Sequence, residues 1–156
     1  MAGPYSNSPI HFFESVSAVT ATPTVEIGTR RREGNDEYIY VYNDGGEQIS
    51  PSYAARLNSA VSGYSVTISS VCQVGRFVGV VKHSTITTAA YGWLLTKGFS
   101  QIEMGATESA AAGLLVCAAI NGTFKEVSAV SGNHAQAEVM TAVASGASTG
   151  AWVFMY

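Results

Sequence analysis

Beyond residue 24, apolar and polar positions alternate with a period of two over short runs, which is the signature of half-buried β-strands. Asp36 to Tyr42 sets Tyr38, Tyr40 and Tyr42 on one face and Ile39 and Val41 on the other, then stops at the turn cluster Asn43-Asp44-Gly45-Gly46. Tyr64, Val66 and Ile68 alternate with Ser65, Thr67 and Ser69, which predicts the first three inward and the hydroxyls outward. Arg76 to Val81 reads as a buried strand in which Gly79 marks a bulge or a close backbone approach. Trp93 to Thr96 follows a break at Tyr91-Gly92 and ends at Lys97-Gly98. Gly113 to Ile120 runs into Asn121-Gly122, a two-residue type I′ hairpin signal, and Thr123 to Val130 returns. Ala151 to Tyr156 supplies a last strand.

Helix is scarce in this pattern. Ser52 to Ala60 suits two turns after Pro51, a residue favoured at a first helical position. Glu108 to Ala112 and Ala135 to Val143 fit an Ala-rich helix or a small-residue strand equally. Short strands at roughly 8–12-residue spacing with Gly-rich turns predict an all-β fold: one antiparallel sandwich or barrel domain over residues 25–156. Residues 1–24 differ. Pro4, Pro9 and Pro23 interrupt them and favour extended backbone, which predicts an N-terminal arm. Ile10, Phe12 and Phe13 form its apolar knot, and such rings favour a dry pocket on the same subunit or a neighbour.

Charge changes the picture. Only 12 % of the 156 residues are Asp, Glu, Lys or Arg, about half of the roughly 25 % usual in soluble domains. A chain so poor in charge is expected to cover part of its surface with other subunits. The net charge of −3 argues against a nucleic-acid binder, which needs excess Lys and Arg to displace phosphate counterions. The opening residues have neither the basic nor the apolar region of a signal peptide, and no run reaches the ~18 apolar residues of a membrane span. The expectation is a protein made in a cytoplasm, with no membrane and no nucleic acid among its partners.

No catalytic constellation is legible. His11, His83 and His134 lack metal-ligand spacing with Cys, Asp or Glu. His83 and Ser84 are neighbours whose side chains leave a strand on opposite faces. Glu33, Asp36, Glu37, Asp44 and Glu47 sit in turns, where acids are solvated, and no phosphate or dinucleotide loop is present. Cys72 and Cys117 lie in apolar surroundings, as buried thiols do. Asn121-Gly122-Thr123 matches a glycosylation sequon, but the hairpin turn explains it. No enzyme, cofactor or metal is expected. Arg30-Arg31-Arg32 is the sharpest charge feature: either a partner contact through bidentate bonds to carboxylates, or a turn neutralised by its own acids.

Two segments together resemble a family. Val25 to Thr29, the charged turn and Glu37 to Tyr42 look like the opening of small head proteins of tailed bacteriophages; Val78-Gly-Val-Val81 and Ile86 to Leu94, with Tyr91-Gly92-Trp93, resemble a recurrent stretch of theirs. The resemblance covers roughly residues 25–98. It implies a head decoration, or cement, protein on the capsid exterior of the virion, partnered by the major capsid protein and by itself as a homotrimer. It brings no catalytic residues. The candidate contacts are Ile10, Phe12, Phe13, Arg30, Arg31 and Arg32. A tail or fibre component would favour longer repeats or a coiled-coil stem. A carbohydrate-binding module would use Tyr38, Tyr40, Tyr42, Tyr91 and Trp93 as stacking faces.

Overall fold

The computed structural model describes residues 15–58, 63–68, 77–127 and 135–154. Ten strands follow in chain order: β1 (Arg30–Glu33), β2 (Asp36–Asn43), β3 (Ala54–Leu57), β4 (Ser65–Ile68), β5 (Phe77–Val80), β6 (Ala90–Glu103), β7 (Leu115–Ala118), β8 (Phe124–Glu126), β9 (Ala137–Val139) and β10 (Ser148–Phe154). The described residues contain no α-helix, only the 3₁₀ turn Ile120–Gly122, so the all-β expectation holds.

The sheet order β2-β4-β3-β5-β6 returns to β2 through the β2–β6 pairing, which closes a five-stranded barrel. One pair in it, β2 with β4, is parallel, with Tyr42 opposite Ser65; the other pairs are antiparallel, as the sequence predicts. The 14-residue β6 outruns the barrel. Its first half pairs with β2 and its second half with β10, which continues through β9 and β7 to β8. A parallel bridge from Phe124 to Met104 ties β8 back to the end of β6.

Two cores result. Ile39, Val41, Ala55, Val66, Val78 and Leu94 give one face of each barrel strand to its interior, closed by Ile49, Val81 and Ile86 from the connections. The opposite faces, with Tyr38, Tyr40, Val80, Trp93 and Leu95, pack outward against Val116, Phe124, Val139, Ala151 and Val153 of the second sheet. The alternation in β2 is therefore as read, but neither face is wet: residues 38–41 are all buried. Each large side chain so covered contributes about 1.5–3 kcal/mol, and the β2–β6 wall is shared by both cores.

Glycines permit the crowding. A Cβ on Gly79 would stand 2.5 Å from the carbonyl oxygen of Leu95, the close approach expected there. Gly92 and Gly98, predicted to break and end a strand, lie inside β6. Gly92 makes room for Ile86, while Gly98 takes φ +134 beside Asp36, where the β2–β6 register shifts and β6 leaves the barrel.

Other expectations change. Ser52–Leu57 is not helical, because Ser52 has φ 75 and the next residues pair with β4 and β5. Tyr64 is exposed while Ser65 is buried, since the parallel pairing with β2 turns Ser65 into the wall. Asn121 and Gly122 both take positive φ (56 and 75), yet Ala118 faces Phe124 and Ala119 bonds Thr123. The connection is thus three residues long instead of two. Of Ala135 to Val143 only Ala137–Val139 is strand, and Glu108 to Ala112 is neither helix nor strand but meets Val143 through a single bridge at Ala110; Cys117 is buried, and Cys72 lies outside the described residues.

Candidate interaction surfaces

Most polar and aromatic groups singled out in the sequence are used internally. Tyr40 packs against Trp93 at 5.0 Å and Tyr91 at 6.0 Å, and Tyr91 meets Tyr42 at 4.7 Å. Tyr38, Tyr40 and Trp93 are buried and Tyr42 and Tyr91 half-buried, so these rings are largely taken up by internal packing. Lys82 pairs with Asp36, and the Tyr38 hydroxyl donates to the same carboxylate at 3.1 Å. His83 Nε2 lies 3.3 Å from that hydroxyl and its ring stacks on Tyr38. Burial first, and the Asp36 charge next, push the Tyr38 phenol well above its ordinary value. The cluster anchors the end of β5 to β2. The turn acids serve the fold too: Asp44 accepts from Asn58 Nδ2 at 2.7 Å, and buried Asn43 donates to the carbonyls of Glu47, Ile86 and Thr87.

Residues 15–24 lie on their own barrel. Val16 is buried in the outer core, Thr20 bridges to Tyr91 through two backbone hydrogen bonds, and Thr20 and Thr24 both reach the Tyr40 hydroxyl. Residues 1–14, which include Ile10, Phe12 and Phe13, lie outside the described residues.

The three arginines occupy β1, which pairs with β2 on one side and ends the sheet order on the other. Arg30 and Arg32 are exposed and share a face, while Arg31 is half-buried and ion-paired with Glu33 at 2.5 Å. Arg32 Nε donates to Gly34 O at 3.2 Å. Together with Glu37, Tyr38 and Thr96 the arginines line a surface recess of about 200 Å³. Charge on an edge strand also discourages unwanted strand addition.

A second surface was not foreseen. Phe99, Trp152, Glu138 and Leu115 stand opposite one another on β6, β10, β9 and β7, one row across the outer face of the second sheet. All four are exposed, Phe99 by 46 % and Trp152 by 42 %. Their rings meet edge to face at 6.3 Å, and Phe99 spreads over Gly150, where a Cβ would stand 2.7 Å from it. Met140, 47 % exposed, adjoins Gly150. The signal lay in the outward parity of Phe99 between inward Gly98 and Ser100, legible only once the register is known.

No protein-family model and no curated protein sequence matches the chain. Among solved structures, the fold is similar to the N base of the head fibre gp8.5 of bacteriophage phi29. The TM-score is 0.54 at 7 % identity, over 74 % of this chain and 92 % of that one. That likeness is one of fold.

Proposed function

We propose that the chain is a virion structural protein of a bacteriophage, a decoration or cement subunit that binds the outer surface of the head and stabilises it. The observation that carries this reading is the shared architecture with a head-fibre base over nearly the whole of that domain. The low charged fraction supports it, and so do the exposed apolar row and the exposed Arg30 and Arg32 of the edge strand, which are surface a partner can cover. The partners are the major capsid protein and further copies of the chain, assembled as a homotrimer. The protein acts by contact and has no catalytic role. Residues 1–14, with Ile10, Phe12 and Phe13, anchor it to the capsid or to a neighbouring subunit.

A second reading is favoured by the same likeness: the domain serves as the base of a head-mounted fibre. The two differ in what the bound subunit carries outward, and agree on where it binds. Adding the purified protein to particles stripped of it tests both. Saturable binding that raises the temperature of head disruption is expected; failure to bind intact heads would overturn the proposal.

A further inference from the structure

We infer that the exposed row of the second sheet receives strand β1 of a neighbouring copy, with Arg30 and Arg32 of one subunit against Glu138 of the next. The row places one carboxylate, Glu138, between Trp152 and Leu115. At the spacing of neighbouring strands each lies about 5 Å away. A partner for this face must bring a cation to Glu138 and apolar surface to its flanks. Two copies joined row to row about a two-fold axis bring no cation to Glu138, because the row has none to offer.

The chain itself supplies the complement. Arg30 and Arg32 project from one face of an exposed strand, about 7 Å apart at strand rise. Their guanidiniums suit a carboxylate and the face of Trp152, and their methylene stems suit Leu115 and Phe99. Among the described residues neither Arg30 nor Glu138 has an ion pair. A contact between two different patches is head to tail, and such contacts close into rings when the rotation allows. This gives the proposed homotrimer, on which the inference rests, a specific interface.

The test is charge reversal with rescue, read by sedimentation of the full chain at about 50 mM salt, where exposed charges are weakly screened. E138R alone and R30E/R32E alone should each raise the dissociation constant about tenfold or more. Combining all three substitutions in one chain restores opposite charges at every contact and should bring the constant back to within about threefold of the original. Melting curves check that each variant folds, as expected for exposed positions. A trimer indifferent to the reversals, or folded single variants that the combination does not rescue, overturns the contact and leaves the trimer standing. A two-fold dimer, or an unmodified chain that stays monomeric at about 100 μM, overturns the trimer and the contact together.

Discussion

Gly79 lies directly against Leu95: a methyl group on its Cα would stand 2.5 Å from the Leu95 carbonyl oxygen and 3.1 Å from the Leu94 side chain. That approach lets β5 join β6 at Val80 and Leu95, the pairing on which barrel closure depends. Gly79→Ala is therefore expected to lower stability by about 1–3 kcal/mol, the usual cost of overpacking a close-packed site. Denaturant unfolding measures it, and a midpoint equal to that of the unmodified protein would remove the close approach from the explanation of the barrel.

The turn at Gly122 adds backbone strain to crowding. With φ +75, its missing Cβ would lie 2.8 Å from Ile68 Cγ1 and 2.9 Å from Tyr53 Cδ1. Gly34 also has positive φ, +59, but nothing within 4 Å of that position. Gly122→Val should cost well over 1 kcal/mol, and Gly34→Ala about 1 kcal/mol from conformation alone. Equal losses in melting midpoint would mean that the hairpin does not press on the barrel.

These glycines show how much of the fold was legible. Alternation located β2, β5 and the strands around the hairpin because periodicity is local. It misread Gly92 and Gly98 as breaks, since a glycine that ends a strand and one that makes room for Ile86 or a bulge look alike in sequence. Ser52–Leu57 has the composition of a helix, and pairing with two neighbours overrides so short a preference. The arginine edge was visible as a charge run. The row of Phe99, Trp152, Glu138 and Leu115 was not, because four distant segments come together only through register, and each apolar member alone reads as core.

The Tyr38 phenol predicts an alkaline signature. Its folded value is raised above the ordinary one of about 10, so between the two the unfolded chain binds fewer protons and stability falls as pH rises. The stabilisation is complete below pH 10 and declines above it. Thermal unfolding at pH 9 to 11 should show a smaller alkaline loss in Tyr38→Phe than in the unmodified protein. Identical slopes would show that the phenol is not held neutral by burial and Asp36.

The N-terminal segment is held to the barrel at Val16, Thr20 and Thr24. Deleting residues 1–14 should leave a folded protein that binds capsids poorly or fails to trimerise. Deleting residues 1–24 also removes Val16 and the threonines bonded to the Tyr40 hydroxyl. Leaving that buried group without partners costs about 1–3 kcal/mol. A longer deletion as stable as the shorter one would mean that residues 15–24 contribute nothing to the barrel.

The proposed place in a phage head is tested most directly by quantitative mass spectrometry of particles purified from the source of the chain. A fixed ratio to the major capsid protein is expected, together with loss of the chain to protease applied from outside while the capsid shell stays intact. Particles that lack the chain, or that carry it only in trace and variable amounts, would contradict a role on the capsid exterior.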